Sequence, residues 1–259
     1  MKIAVTVKLA AALDESAVLR DGAVDDSDLE WDVNEWDMFA VEAAVELKDA
    51  AGEGEVVIVS VGGDQVPEGL LSCLAMGADR AVHVRVPHEA ESLDVIAVAR
   101  LLAAVIAQET PDLVLSGVQS SDFASAATGT ALAGLLELPH VAVVRDVVMA
   151  DGALEVQREL EGGLIERLKV RLPAALTVQT GINEPRYATL RSIRQASAKQ
   201  RTTVTPAELG FDDAALAALP AARTAALAEP PVRTTAEMIE GGAAEIAAQI
   251  GSIVKARIA

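Results

Sequence analysis

Short apolar runs rich in Val and Ile alternate with longer amphipathic segments over the first half of the chain. The apolar runs predict β-strands at residues 2–8, 55–61, 81–86 and 112–116. Between them, residues 37–50 and 92–109 place apolar side chains at the spacing of one helix face. Strands of this kind that alternate with amphipathic helices are typical of a parallel sheet covered on both faces. The pattern therefore predicts an α/β fold with a mostly parallel, doubly wound sheet up to about residue 140.

Single residues mark where several of these helices begin and end. Asn34 is a good N-cap, and Asp37 stands at the position of a capping-box acid. The helix that follows the third strand is expected to start at Ser92 and to stop before a proline. Gly77 is expected to close the helix before the third strand, and Cys73, within that helix, is expected to be a buried small hydrophobe.

The pattern changes after residue 140, where shorter strands follow one another without helices between them. These strands are predicted at residues 141–149, 153–159, 164–170 and 174–179. Asp151-Gly152 between the first two is a strong hairpin signal, and Gly162-Gly163 marks the next turn. The sheet, which is of the nucleotide-binding type, is therefore expected to gain antiparallel strands here.

The remainder of the chain has a different composition. Residues 182–204 are polar and basic, and from residue 205 the chain is rich in Ala and Pro with little strand character. A final helix is indicated by Thr234-x-x-Glu237, followed by isoleucines along one side at positions 239, 246, 250 and 253. We therefore expect an α/β domain over residues 1–184 and an extended C-terminal arm, rather than a second compact domain, over residues 185–259.

Composition and charge exclude several classes of function. The 259 residues contain 21 Lys and Arg against 39 Asp and Glu, and the formal net charge of −18 disfavours binding to nucleic acid or anionic lipid. Aromatic residues make up only 2%, so base-stacking surfaces are not expected. The single cysteine and the three histidines (His83, His88 and His140) disfavour internal disulfides and metal clusters.

The sequence also bears on where the protein works. No uncharged apolar run reaches the roughly 18 residues that a membrane helix needs. Met1-Lys2 leads straight into a β-like run, without the apolar region of a signal peptide. A cytoplasmic protein with no membrane insertion is therefore expected.

The main candidate for a ligand site is the loop after the fourth strand, residues 117–129, with the sequence GVQSSDFASAATG. It lies between a strand and a helix, where open α/β sheets bind ligands. Its small residues let backbone N–H groups approach a phosphate, and the helix adds its positive end. Neither a Walker motif nor a G-x-G-x-x-G motif is present. The alternative is an ordinary loop in which Ser120 or Ser121 is an N-cap.

Two other segments carry distinctive side chains. Trp36 can either stack on a purine or pack in a hydrophobic staple. Residues 181–193 (GINEPRYATLRSI) combine Tyr, Arg and Leu on an otherwise acidic protein, a mixture favoured at the centres of interfaces. The alternative is a loop that packs Tyr187 and Leu190 on its own core. No Ser/His/Asp or Cys/His set and no pair of acids emerges, so we expect no catalysis by this chain itself.

Five motifs resemble the β subunit of electron transfer flavoproteins, and the resemblance covers essentially the whole chain. The motifs are NEWD at residues 34–37, LAMGADR at 74–80, GVQSSD at 117–122, RELEGG at 158–163 and NEPRYATL at 183–190. The GVQSSD form is similar to the branch that serves trimethylamine dehydrogenase in a methylotroph, because commoner family members carry a Gly-Lys-Gln-Ala-Ile-Asp type of loop there.

The resemblance implies a heterodimer that carries electrons, in which the α subunit holds the redox-active FAD and the β subunit binds AMP. Glu159 matches an acid that pairs with an arginine of the α subunit and restrains the flavin domain. Tyr187 and Leu190 lie in the segment that matches the recognition loop for a partner dehydrogenase. The lysine run that often follows this loop is much less basic here, at residues 195–199. The implied AMP contacts are Thr6, Asn34, Glu35, Trp36, Asp37, Val61, Gly117, Val118, Gln119, Ser120, Ser121, Asp122, Phe123, Ala124, Ser125, Ala126, Ala127 and Thr128.

Two alternatives to this interpretation stay open. In a bifurcating flavoprotein a second FAD takes the place of AMP. In a stand-alone regulatory domain the same sheet binds a nucleotide without a partner subunit, although such a domain has no evident use for an arm with exposed isoleucines.

Overall fold

The structure is a computed structural model that describes residues 1–12, 18–20, 23–25, 29–86, 93–220, 222, 228 and 238–258. Within these residues the strands are β1 (Lys2–Thr6), β2 (Leu9–Ala11), β3 (Leu19–Arg20), β4 (Ala23–Val24), β5 (Trp31–Val33), β6 (Glu55–Gly62), β7 (Arg80–Arg85), β8 (Leu113–Gly117), β9 (His140–Ala150), β10 (Ala153–Glu159), β11 (Ile165–Val170), β12 (Ala174–Val178) and β13 (Arg201–Val204). The helices are α1 (Glu35–Ala51), α2 (Val66–Met76), α3 (Val95–Glu109), α4 (Thr128–Leu135), α5 (Leu190–Ala196), α6 (Asp213–Ala218) and α7 (Ala243–Ile258).

A nine-stranded sheet organises the chain, in the order β11-β10-β9-β12-β8-β1-β6-β7-β13. The strands from β9 to β13 in this order pair in parallel, whereas β10 pairs antiparallel with both β9 and β11. Two small antiparallel sheets, β2 with β5 and β3 with β4, stand apart from it. The predicted α/β class and the added antiparallel strands are confirmed.

Apolar cores lie on both faces of the sheet, because alternate side chains of each strand point to opposite sides. In β1, Ile3 and Val5 belong to the core under α1 and α2, whereas Ala4 belongs to the core under α3 and α4. Each Val, Leu or Ile side chain buried in this way contributes about 1.5–3 kcal/mol. The sheet is therefore doubly wound, as the uninterrupted apolar strands indicate.

The helix boundaries confirm some predictions and correct one. Gly77 follows the last residue of α2 with φ at 130°, and Cys73 is fully buried, which raises the pKa of its thiol to about 12. Asn34 is the N-cap residue of α1, but its side chain does not cap the helix and no capping box forms with Asp37. Both side chains bind the loop after β8 instead. The cap of α3 is Asp94, whose side chain accepts a hydrogen bond from the Ala97 amide; the predicted start at Ser92 lies outside the described residues.

The first described part of the chain after residue 184 packs against the sheet. Helix α5 contacts α2, and β13 extends the sheet beyond β7, a strand that the sequence did not predict. Leu216 and Leu219 enter the core under α3 and α4. By contrast, α7 buries none of its residues against the described chain, and Thr234 and Glu237 lie outside the described residues. No helix in the described ranges is long and apolar enough to cross a membrane.

Candidate functional site

The candidate site lies at the switch point of the sheet, between the carboxyl ends of β1 and β8. From β1 the chain moves to β6 and β7 on one side and then returns to β8 on the other side of β1. The connections diverge at such a point and leave a crevice, which is where open α/β sheets bind ligands. The Thr6 hydroxyl, at the end of β1, donates to the Ser116 hydroxyl oxygen of β8 at 2.8 Å. Val61, near the end of β6, is half-buried at the same edge of the sheet.

Asp37 joins the segment after β1 to the end of β8. Its Oδ2 accepts a hydrogen bond from the Lys8 amide at 2.8 Å, and its Oδ1 accepts one from the Gly117 amide at 2.9 Å. Burial raises the pKa of Asp37 to about 6, although these hydrogen bonds oppose the shift. The folded state therefore binds this proton more tightly than the unfolded chain does, and the contribution of Asp37 to stability decreases as the pH rises from about 4 to 6.

Asn34 makes a second connection to the same loop. Its Nδ2 donates to the Gln119 carbonyl at 2.8 Å, and its Oδ1 accepts from the Ser121 amide at 3.1 Å. Its own amide donates to the Lys8 carbonyl at 2.9 Å. Asn34 is almost fully buried, so these bonds fix the start of the loop relative to α1. Glu35, the next residue, is exposed.

The packing of the chain itself requires glycine at position 117. A Cβ at this position would lie 2.5 Å from Asp37 Oδ1 and 2.6 Å from Trp36 Cβ, both closer than van der Waals contact allows. The half-buried Trp36 donates its indole N–H to Gln179 Oε1 at 2.9 Å, just beyond β12. Val118 is tied to the same strand, because its amide donates to the Val178 carbonyl at 3.0 Å. The first turn of α1 thus packs directly against the ends of β8 and β12.

The second half of the loop is exposed and leads into α4. Ala127 is the N-cap residue of this helix and offers no side-chain cap, so no hydroxyl or carboxylate of that residue occupies the first amides of α4. The interpretation in which Ser120 or Ser121 caps a helix is wrong, since the helix begins only at Thr128. Ala124 and Ala126 adopt the left-handed region with φ at 48° and 49°, a conformation that costs non-glycine residues energy. The exposed side chains here are Ser121, Phe123, Ala124, Ser125 and Ala126.

Lys8, which no sequence motif marked, completes this arrangement. Its ammonium donates to Asp122 Oδ1 at 2.6 Å and lies 4.7 Å from the centroid of the Phe123 ring. Lys8 and Asp122 are 114 residues apart in sequence. The structure thus brings together, at one edge of the sheet, the predicted positions on β1, α1 and the loop after β8.

A second group of predicted residues lies on the loop before α5. Asn183 Nδ2 donates to the Phe39 carbonyl of α1 at 3.1 Å. Arg186 binds Glu42 of α1 through its backbone amide at 3.0 Å, through Nε at 2.9 Å and through Nη2 at 2.8 Å. The half of the loop before Tyr187 is thereby fixed to α1. The first turn of the same helix holds the loop at residues 117–129, which we call the ligand loop.

The residues beyond Arg186 point away from the core. Tyr187 is 97% exposed and Leu190 is 79% exposed, so the interpretation in which they pack on the chain's own core is wrong. Thr189 and Ser192 form a reciprocal capping box that starts α5 directly at Leu190. An apolar side chain is thus presented to solvent on a well-defined helix start.

The motif at residues 74–80 serves the fold. Lys199, within the weakly basic segment, donates to the carbonyls of Leu74 at 2.9 Å and Ala78 at 2.6 Å, where α2 ends. Desolvation lowers the pKa of this amine. Arg80 lies between Glu55 and Glu109 at the opposite edge of the sheet from the candidate site. These residues link α5 and the strands and lie away from the candidate site.

Glu159 is the last residue of β10 and is exposed. The turn that follows, Glu161–Gly163, leads into β11. Leu160 and Leu164 beside it are exposed as well. Glu159 therefore stands beside an apolar hairpin tip, on a strand that is three positions from β8 in the sheet.

Comparison with known proteins identifies the family. The family described as "Electron transfer flavoprotein domain" matches residues 21–209. The electron transfer flavoprotein subunit beta of Methylophilus methylotrophus is 44% identical over 259 residues, which cover 98% of both chains. The human protein of that name is 38% identical over 235 residues, 90% of this chain and 88% of the human one. That of Bacillus subtilis is 29% identical over 255 residues and 98% of both chains. The chain therefore belongs to the electron transfer flavoprotein family, among its β subunits.

Proposed function

We propose that this β subunit binds AMP at the switch point of its sheet and docks a partner dehydrogenase, so that electrons pass to an FAD held mainly by the α subunit. The chain itself makes and breaks no bonds in this proposal. The observation that carries the nucleotide part is the ligand loop, a segment of small residues held on α1 and followed by the uncapped first turn of α4.

The residues present fit a nucleoside monophosphate. Between Gly117 and Thr128 the only charged side chain is Asp122, and it is paired with Lys8. A phosphate would therefore be held by backbone N–H groups and hydroxyls, aided by the positive end of α4, rather than by a cation of the loop. We assign Thr6, Val61 and Trp36, which lie at this edge of the sheet, to the nucleoside.

The exposed surfaces support a partner subunit. Helix α7 carries Ile250, Ile253, Val254 and Ile258 exposed to solvent, a larger apolar stripe than a free helix end favours. We assign this arm, and the Glu159 hairpin tip, to contacts with the α subunit. FAD would supply the redox chemistry, and Glu159 would bias the position of the domain that holds it.

The recognition part of the proposal uses Tyr187 and Leu190. Both are exposed on a loop that Arg186 fixes to α1, and aromatic and aliphatic anchors of this kind dominate interface energetics. The net charge of −18 would steer a dehydrogenase that carries a basic patch. The form of the 117–122 loop favours a flavin-containing dehydrogenase of the trimethylamine dehydrogenase type.

The decisive experiment is to express the chain together with its α subunit, purify the complex, denature it and count the released nucleotides. One FAD and one AMP per αβ pair are expected. Two FAD and no AMP would replace this proposal by the bifurcating alternative. A stable monomer that does not associate with the α subunit, and that binds a nucleotide alone, would instead favour the regulatory domain.

A further inference from the structure

Among the residues that the structure describes, Lys8 is the only cation in an ion pair with the ligand loop. Its backbone is held at both polar groups, because its amide donates to Asp37 Oδ2 at 2.8 Å and its carbonyl accepts from the Asn34 amide at 2.9 Å. The side chain therefore leaves from a fixed point, two residues beyond the end of β1. From there it reaches the loop, where Nζ lies 2.6 Å from Asp122 Oδ1.

The acceptor of this ion pair is buried. The Asp122 side chain is 8% exposed, and Asp122 is the only charged residue in the segment 117–129. Burial by itself raises the pKa of Asp122, but hydrogen bonds from Lys8, from Ser120 and from the Phe123 amide outweigh it, and the net pKa is lowered. The carboxylate is therefore charged at neutral pH, in the loop that the proposed function assigns to an anionic phosphate.

A buried negative charge in a phosphate-binding loop repels the phosphate unless a cation cancels it. At the effective dielectric of a protein surface, one unit charge several ångströms away changes the dissociation constant by about 10- to 100-fold. Lys8 is placed to cancel this charge without entering the loop itself. Its ammonium also lies over the Phe123 ring, which shields the ion pair from one side.

We propose that Lys8 is a positioning residue of the nucleotide site: it holds the ligand loop on the end of β1 and cancels the charge of Asp122, so that the loop accepts a phosphate. This inference rests on the proposed binding of AMP. Only a ligand that carries a phosphate should be affected, because the charge of Asp122 acts on the phosphate and not on an uncharged nucleoside. Loss of Lys8 should thus weaken AMP and leave adenosine nearly unchanged.

The test compares variants of the αβ complex, freed of bound nucleotide, by titration calorimetry with AMP and with adenosine. K8M is expected to weaken AMP by about 10- to 100-fold and adenosine by less than about threefold. K8M/D122N, which removes the carboxylate as well, is expected to recover AMP binding to within about fivefold of the wild type. K8R should keep most of the affinity. K169M, the same change at an exposed lysine of β11, is the matched control and should change neither ligand.

Several outcomes would overturn the inference. If K8M weakens AMP and adenosine equally, or if the double variant stays as weak as K8M, Lys8 merely supports the fold. Should K8M not fold, the comparison of D122N with K8M/D122N still decides, because D122N leaves Lys8 without its carboxylate, and the further loss of that positive charge should weaken AMP by about 10- to 100-fold while adenosine changes by less than about threefold. A wild-type complex that binds neither ligand contradicts the AMP assignment itself, which is a different result from a failure of the variants.

Discussion

The ion pair between Arg186 and Glu42 should stabilise the chain and keep the docking loop, residues 183–190, ordered. The Glu42 carboxylate is 4% exposed and accepts hydrogen bonds from the backbone amide, Nε and Nη2 of Arg186. Asp49, about two turns further along the same face of α1, lies 3.5 Å from Arg186 Nη1. Burial and the nearby Glu42 raise the pKa of Glu46, and the positive charge of Arg186 opposes this shift. Arg186 is thus the counter-ion for a row of carboxylates on α1.

The variant R186M removes this counter-ion and leaves Glu42 buried. Breaking a fully buried pair by removing one partner costs about 3–5 kcal/mol. The Arg186 side chain is 41% exposed, and its backbone amide still donates to Glu42, so water and one hydrogen bond reduce the loss to about 2–3 kcal/mol. For a chain of this size that corresponds to a Tm lower by roughly 4–12 °C.

Thermal unfolding followed by circular dichroism measures this effect, and hydrogen exchange of the amides at residues 183–192 measures the order of the loop. The matched control is R191M, the same change at an exposed arginine of α5. The double variant R186M/E42Q should regain at least about 1 kcal/mol, because it removes the unpaired charge. If R186M lowers Tm no more than R191M does, the ion pair does not anchor the loop and the reasoning fails.

Three further predictions concern single side chains. L190A should weaken dehydrogenase docking by roughly eight- to sixtyfold and leave Tm almost unchanged. The Leu190 side chain is 79% exposed, so docking can still bury most of it and gain most of the roughly 1.5–3 kcal/mol that full burial is worth. A large fall in Tm with normal reduction kinetics would show internal packing. Hydrogen bonds from Arg80 and Lys2 hold the pKa of Glu109 at about 2, so stability from its ionised form is complete above the unfolded pKa and is lost as the pH falls toward 2. In urea unfolding, E109Q should cost about 1.5–3 kcal/mol at pH 7 and clearly less at pH 3, with E53Q as an exposed control; an equal cost at both values contradicts the assignment. E159A should keep the heterodimer and its AMP but change electron-transfer rates in stopped-flow experiments, and unchanged rates would make Glu159 an ordinary surface acid.

The fold could be predicted because its signals are local. Each buried parallel strand carries a continuous apolar run, as in Val56–Val59, and each helix carries its own period. The position of the ligand loop followed from the same reasoning, since the carboxyl ends of parallel strands meet at one edge of a sheet. Strand β13 was missed because Arg201–Val204 is polar: it pairs only with β7 at the edge, and only its last residue is even half-buried.

The contacts that hold the two loops could not be predicted in this way. Lys8 and Asp122 are 114 residues apart, and Arg186 and Glu42 are 144 apart. The pattern of apolar and polar positions along the chain does not predict which charged side chains pair when they are so far apart in sequence. Asp37 shows the limit most clearly, because its position after Asn34 fits a capping box, yet the amides of Lys8 and Gly117 take its carboxylate oxygens. In the folded chain, backbone amides that are distant from Asp37 in sequence donate to its carboxylate, in place of the nearby amide that a capping box would use.

Helix α1 connects the two regions that the proposed function needs. Its first turn holds the ligand loop through Asn34 and Asp37, and its second and third turns hold the docking loop through the Phe39 carbonyl and Glu42. Asp37 and Glu42 are five residues apart, about 7.5 Å along a helix axis. Both loops are therefore fixed to one rigid element by hydrogen bonds, while Phe123 in the first and Tyr187 and Leu190 in the second remain exposed. The nucleotide of the proposed function would have a structural role in such an arrangement, because it would fill the crevice against which the start of this helix is held.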